Sequence, residues 1–182
     1  MERRKEKPKR ITFSTGIRLK GNFIKNGLDT SRFVNLIVCF DSPDHFKQKG
    51  YEFPPNLFYI SEVQYGEAMG VLIHKHKLTK KETKEKIKSW IEKFPLVELR
   101  SNESTGGYES IVRSANNKVI KKFGENYEIG ELDVSTIAIF MQNGINIIHV
   151  KDKGFEETCR ELEIEVMLTP ERDLKEERSK KN

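Results

Sequence analysis

Cysteine is scarce in this chain of 182 residues, which contains two. Cys39 and Cys159 lie far apart without metal-ligand spacing, so we expect no disulfide or zinc site and two reduced thiols in the core. No segment approaches the roughly 18–20 apolar residues that cross a bilayer. The first ten residues, MERRKEKPKR, have no apolar segment behind them and do not predict a secretory signal. These absences predict a cytoplasmic protein with no membrane partner.

The net charge of +5 is unevenly distributed. Residues 1–10 hold six basic and two acidic residues, and residues 171–182 hold five basic and four acidic ones, so the middle of the chain is neutral. We predict a basic N-terminal arm and extension (1–21), one domain (22–170) and a charged C-terminal tail (171–182). The basic arm either attracts a polyanion through phosphate contacts or only keeps the chain solvated.

Short apolar segments alternate with helical patterns along the chain. We predict strands at residues 22–29, 57–60, 96–99, 145–150 and 164–168. We predict helices at residues 31–40, 62–77, 80–94, 108–123, 131–143 and 155–162, and mostly loop at 41–56 and 101–107. Ser61 and Thr79 are the predicted N-caps of two helices, and Glu82 completes a capping box with Thr79. This alternation predicts a mainly parallel sheet with helices on both faces, a three-layer α/β/α sandwich.

Four acidic residues stand where the surrounding pattern expects an apolar or neutral residue: Asp29, Glu67, Asp133 and Asp152. Asp29 and Asp152 follow predicted strands, and sites in parallel sheets form beyond the carboxyl ends of the strands. Four converging carboxylates repel one another, and a divalent metal with oxygen ligands would neutralise them. The alternative for Asp133 is a structural role at a helix N-terminus, where negative charge is favourable.

Three segments carry a resemblance: LDTSRFVN (28–35), LFYISEVQYGE (57–67) and ELDVSTIAIFMQNGINIIHVKDKGF (131–155). Together they resemble the sequence blocks of the PIN-domain family. The matching positions are the pair Asp29 and Thr30, Ser61 with Glu67, Asp133 with Gly144, and Asp152 with Phe155. The resemblance extends over roughly residues 22–168, which is most of the chain.

The resemblance implies metal-dependent, endonucleolytic hydrolysis of RNA phosphodiester bonds, with one or two Mg²⁺ or Mn²⁺ ions. It implies that Asp29 and Asp133 are direct ligands and that Asp152 is a ligand or holds metal-bound water. Glu67 would bind the metal through a water molecule or would contact the residues that bind it. Thr30 would orient Asp29 by hydrogen bonding or cap the following helix.

Two features depart from the family pattern. Lys151 precedes the last acid where relatives place a small polar residue, so it either contacts phosphate, together with Lys153, or displaces a metal. The segment FSTGIRL could mimic the first strand, with Ser14 in place of the first acid. We prefer Asp29, because LDTSRFVN fits the pattern on both sides of the acid.

Two classes of function follow from the resemblance. The first is a ribonuclease that acts on RNA. It would be either the VapC-like toxin of a type II toxin–antitoxin pair, with an antitoxin partner and a homodimer, or an RNA-processing enzyme. The second is a catalytically inactive PIN-like RNA-binding or scaffold protein, which a first-acid Ser14 or a metal-displacing Lys151 would favour.

Overall fold

A computed structural model describes residues 25–40, 42–48, 57–93 and 96–168 of the protein. The predicted arm and extension (1–21), the tail (171–182) and Ser14 lie outside the described residues. The beginning of the first predicted strand, at residues 22–24, lies outside them as well. The choice between Asp29 and Ser14 therefore depends on where the described residues place Asp29.

The described chain alternates strands and helices as predicted. Its strands are β1 (Lys25–Leu28), β2 (Leu57–Ser61), β3 (Leu96–Leu99), β4 (Ile147–Val150) and β5 (Glu165–Leu168). Its helices are α1 (Thr30–Cys39), α2 (Pro43–Gln48), α3 (Glu62–His74), α4 (Lys80–Lys93), α5 (Thr105–Phe123), α6 (Glu131–Gln142) and α7 (Lys153–Glu161), with a 3₁₀ turn at Glu125–Tyr127. None of the described helices is long and apolar enough to cross a membrane.

The five strands form one sheet in the order β3-β2-β1-β4-β5, and each neighbouring pair is parallel. The central strand β1 places Asn26 opposite Phe58 of β2 and Ile147 of β4. Because the strands are parallel, all of their carboxyl ends meet at one edge of the sheet. The predicted fold class is confirmed, and the edge that should carry the site is defined.

Two apolar clusters form the core, one on each face of the sheet. Strand β2 shows the division, because Phe58 and Ile60 belong to one cluster and Tyr59 to the other. The first cluster packs α1, α3 and α4 against the sheet and includes Phe33, Leu72, Ile87 and Trp90. The second packs α5, α6 and α7 against it and includes Val112, Ile137, Phe140, Phe155 and Cys159. Both cysteines are buried in the core, as predicted.

The predicted helix caps are present. The Ser61 hydroxyl accepts a hydrogen bond from the Gln64 N–H at 3.2 Å, and Gln64 Oε1 accepts one from the Ser61 N–H at 2.8 Å. Thr79 and Glu82 form the same reciprocal pair at the start of α4, with N–H···O distances of 2.8 and 3.2 Å. Each pair satisfies two N–H groups that the first helical turn leaves without a partner.

Two predicted loops contain helices. Helix α2 lies within segment 41–56, and α5 begins at Thr105, so Gly106 and Gly107 are helical rather than loop. The early start of α5 depends on Thr105, whose hydroxyl accepts from the Asn102 N–H at 2.8 Å and donates to Gln142 Oε1 of α6 at 2.5 Å. The second contact crosses to another helix, so the local pattern did not indicate it.

Gly27 of β1 is required by a close approach to α6. A Cβ atom at this position would lie 2.7 Å from Cε2 of the buried Phe140 ring. Gly27→Ala should therefore lower the free energy of unfolding by roughly 1–3 kcal/mol, measured by urea denaturation. The double variant Gly27→Ala/Phe140→Leu should be destabilised by less than the sum of the two single variants, because the smaller side chain at position 140 removes the clash.

The matched control is Gly66→Ala in α3, where an added Cβ meets nothing within 4 Å. Alanine is preferred over glycine inside a helix by roughly 0.5–1 kcal/mol, so this variant should be slightly more stable than the unaltered protein. Equal destabilisation by the two alanines would contradict the packing explanation.

Candidate active site

Asp29 lies at the carboxyl end of the central strand β1 and is the N-cap of α1. Its N–H donates to the carbonyl of His149 in β4 at 2.9 Å, which fixes the residue between the two strands. The Ser31 hydroxyl donates to Asp29 Oδ2 at 2.6 Å. Burial raises the pKa of the Asp29 carboxyl, Ser31 opposes that rise, and the Glu67 carboxylate adds to it.

Glu67 projects from the second turn of α3 toward α1. The Thr30 hydroxyl donates to Glu67 Oε2 at 2.5 Å. The Thr30 hydroxyl therefore binds Glu67, while the Thr30 backbone N–H and Ser31 act on the Asp29 carboxyl. An orienting role of Thr30 toward Asp29 stays a prediction. The alternative prediction, that Thr30 caps α1, fails, because Asp29 is the N-cap and Thr30 is the first helical residue.

Asp133 lies in the first turn of α6, and its Oδ2 accepts from the Gly130 N–H at 3.3 Å. The helix-terminus role considered for this residue is therefore present. Burial, together with the carboxylates of Asp29, Glu67 and Asp152, raises the pKa of Asp133 to about 6. The Gly130 N–H is the group that opposes this rise. The charges of the other three predicted acids therefore all act on Asp133.

Asp152 follows β4 and is the N-cap of α7, with Oδ1 accepting from the Phe155 N–H at 3.0 Å. It is exposed, whereas Asp29 is buried and Glu67 and Asp133 are half-buried. The four acids therefore extend from the core edge to the surface. Lys151 and Lys153 on either side of Asp152 are also exposed, and their contact with phosphate stays a prediction.

Two buried polar side chains bind the backbone at this edge of the sheet, and the sequence analysis did not predict them. Gln64 Nε2 donates to the carbonyl of Leu28, the residue before Asp29, at 2.5 Å, so α3 is bound to the end of β1. Arg32 Nη2 donates to the carbonyl of Val150, two residues before Asp152, at 3.2 Å. Both bonds join residues distant in sequence. The available sequence signal is a polar residue on the apolar side of a helix, at Gln64 in α3 and at Arg32 in α1.

The acids offer only carboxylate oxygens, which are the donors that Mg²⁺ and Mn²⁺ prefer. Within the described residues, however, no three His, Cys, Asp or Glu side chains are arranged so that they could hold one metal ion. Mutual repulsion opposes closer approach, and each acid has a local donor: Ser31, Thr30, the Gly130 N–H or the Phe155 N–H. The donor chemistry fits a hard divalent cation, and the ligand roles of Asp29, Asp133 and Asp152 stay a prediction.

Comparison with known proteins gives structural matches. No family model and no curated protein sequence matches the chain. A chain in the crystal structure of VapBC2 from Rickettsia felis, bound to a DNA fragment from their promoter, matches with a TM-score of 0.52 and 13% identity. That match covers 79% of this chain and 97% of the other. VapC20 of Mycobacterium tuberculosis, a sarcin-ricin loop cleaving toxin, gives a TM-score of 0.46 and 14% identity over 72% of this chain and 92% of its own. The first match shows a PIN-like fold.

The raised pKa of Asp133 has a consequence for stability. Between the ordinary carboxyl pKa of 3.8 and about 6, the folded protein holds a proton that the unfolded chain has lost. Stability from this group is therefore present below pH 4 and is lost as the pH rises toward 6. Asp133→Asn keeps the oxygen that accepts from the Gly130 N–H but removes the charge. In EDTA the variant should unfold at a higher urea concentration than the unaltered protein, and this difference should grow between pH 4 and pH 7. After allowance for partial exposure we expect about 1–2 kcal/mol at pH 7.

Glu131→Gln on the same helical turn is the matched control. Arg113 lowers the pKa of the exposed Glu131 carboxyl through a hydrogen bond, so that charge favours folding at neutral pH. Its loss should reduce stability at pH 7, opposite in sign to Asp133→Asn. An Asp133→Asn advantage that does not change with pH would contradict the raised pKa of Asp133.

Proposed function

We propose that this chain, whose fold is that of the PIN-like VapC toxins, is a metal-dependent endoribonuclease that hydrolyses RNA phosphodiester bonds. The observation that supports the proposal is the pKa of Asp133, which burial raises and to which the negative charges of Asp29, Glu67 and Asp152 at the carboxyl edge of the sheet add. Carboxylates brought together in this way destabilise the fold unless a bound cation neutralises them. A cluster kept against this cost is a functional-site candidate.

The cation, Mg²⁺ or Mn²⁺, would be held by Asp29, Asp133 and Asp152. Glu67 would contact it through water or would contact the residues that bind it. When bound, the cation would supply positive charge to the phosphate and acidity to the attacking water. The chain's own residues have separate tasks. Ser31 and Thr30 hold the Asp29 and Glu67 carboxylates in fixed orientations, and Gln64 and Arg32 hold the strand ends that carry Asp29 and Asp152. The buried side of the cluster limits water around Asp29, which strengthens its interaction with a cation.

The finer proposal is the toxin of a type II pair that acts with an antitoxin protein and forms a homodimer. Its support is the likeness in fold to the VapBC2 chain, and because one fold serves several functions, an RNA-processing nuclease is the other candidate. Growth arrest on expression, relieved by a small neighbouring gene product, would separate the two. A lysine ammonium group in the place of the metal would favour a catalytically inactive module. Lys151 is exposed, and this position does not support such a role.

The cleavage test uses labelled single-stranded RNA with Mn²⁺ or Mg²⁺. We expect cleavage by the unaltered protein, loss of at least a hundredfold in rate for Asp29→Asn, and no cleavage in EDTA. Glu131→Gln is the control, because it removes a nearby carboxylate outside the cluster and should keep the rate within about threefold. Cleavage that persists in EDTA, or equal rates for the unaltered protein and Asp29→Asn, would overturn the proposed reaction.

Metal binding can be measured without activity. A cation that binds the folded protein at a hundred times its dissociation constant stabilises it by about 2.7 kcal/mol, which raises the melting temperature by several degrees. We expect Mn²⁺ to raise the melting temperature of the unaltered protein and of Glu131→Gln but not of Asp133→Asn. The same rise in Asp133→Asn would place the metal elsewhere.

A further inference from the structure

The positive charge of the described domain is concentrated in one segment. Residues 74–93, from the end of α3 through α4, hold eight lysines and three glutamates, a net charge of +5. The other described residues hold eleven Lys and Arg against seventeen Asp and Glu. The domain is therefore strongly polarised, although the charges of residues 11–170 cancel. A cation-rich surface of this kind favours an anionic ligand.

Four lysines of α4 form a continuous flank of the helix, which we call the lysine face: Lys80, Lys81, Lys84 and Lys88. All four are exposed, whereas Thr83, Ile87 and Trp90 of the same helix are buried. Successive residues turn by about 100° around a helix, so Lys80, Lys84 and Lys88 follow one another along one side, with Lys81 beside them. The core contacts of α4 therefore leave the lysine face open to solvent.

The lysine face is unfavourable for the helix that carries it. Lys80 and Lys81 occupy the first turn, where the helix dipole disfavours positive charge. Lys80, Lys84 and Lys88 repel one another at a spacing of four residues. Among the described residues, Lys88 pairs with Glu92 at 3.6 Å, while Lys80, Lys81 and Lys84 form no ion pair. Helix stability therefore does not explain this arrangement.

Helix α3 connects the lysine face to the acidic cluster. Glu67 and His74 lie seven residues apart, which places them on one side of α3 with a separation of about 10 Å. Lys75 and Lys77 follow in the turn between the helices, both exposed and, within the described chain, without an ion pair. Positive charge therefore continues from two turns beyond Glu67 to the start of α4.

We propose that the lysine face binds the phosphate backbone of the RNA substrate, a few nucleotides away from the scissile bond. This inference rests on the proposed ribonuclease function and adds the surface that holds the substrate. The acidic cluster repels RNA unless a cation is bound, so a separate cationic surface is needed to hold the strand near it. Lysine side chains contact phosphate as point charges, so this surface should bind single strands with little preference for base sequence.

The test compares two triple variants with equal loss of charge. Lys80→Gln/Lys81→Gln/Lys84→Gln removes three charges from the lysine face, and Lys118→Gln/Lys121→Gln/Lys122→Gln removes three exposed charges from α5. Each is made with and without Asp29→Asn. The dissociation constant of a labelled single-stranded RNA is measured in the Asp29→Asn background, in EDTA, between 50 and 200 mM KCl. Melting temperatures show that the variants are folded.

We expect the lysine-face variant to raise the dissociation constant by at least tenfold at 100 mM KCl and to reduce the slope of log K against log salt by about 2. This reduction corresponds to the loss of three phosphate contacts on a single strand. The α5 variant should change the constant by less than threefold. With Asp29 intact, the lysine-face variant should raise KM and leave kcat unchanged, because it removes binding shared by substrate and transition state.

Equal effects of the two triple variants on RNA affinity would overturn the inference. A lysine-face variant that keeps its RNA affinity but loses affinity for polyglutamate would overturn it in favour of an acidic protein partner. If the unaltered protein does not cleave RNA but the lysine face still accounts for salt-dependent binding, the proposed function fails and the binding surface stands. If it cleaves RNA and KM is the same in the lysine-face variant, the function stands and the surface assignment fails.

Discussion

Mutual repulsion among carboxylates at one edge of a parallel sheet is the constraint on which this structure depends. Asp29 and Asp152 follow strands β1 and β4, while Glu67 and Asp133 lie in the opening turns of helices α3 and α6. Parallel strands bring all of these positions to the same edge, although they are separated by up to 123 residues in sequence. Burial raises the pKa of Asp133, and the charges of the other three acids add to that rise.

Within the part of the chain that the structure describes, the hydrogen bonds to the four acids come from neutral donors. Ser31 and Thr30 bind two of them by hydroxyl groups, and the backbone N–H groups of Gly130 and Phe155 bind the other two. A neutral donor fixes the direction of a carboxylate without cancelling its charge. Arg32, which lies in the same first turn of α1 as Thr30, is buried and directed to the carbonyl of Val150. The hydrogen bonds that hold the four acids therefore leave their negative charge in place.

Charge is also separated over longer distances. The acidic cluster lies at the carboxyl edge of the sheet, and the excess of positive charge lies in residues 74–93. One helix, α3, carries Glu67 of the cluster and ends where the basic segment begins. A polyanion held by the basic segment and a cation held by the acids would meet along this helix. The likeness to the VapBC2 chain accounts for the arrangement of strands and helices, whereas these charges belong to the particular side chains of this protein.

Local patterns in the sequence determined the order of strands and helices and the caps at Ser61 and Thr79, and they singled out each of the four acids by its immediate neighbours. These features depend on residues within a few positions of one another, because periodicity and capping are local. Tertiary structure alone decided that Thr30 binds Glu67, that Gln64 reaches the carbonyl of Leu28, and that Thr105 starts α5 early by contacting Gln142. Each of these bonds crosses at least 36 positions of the chain. Their partners become neighbours only when the crossovers of the sheet are complete, so no local pattern contains them.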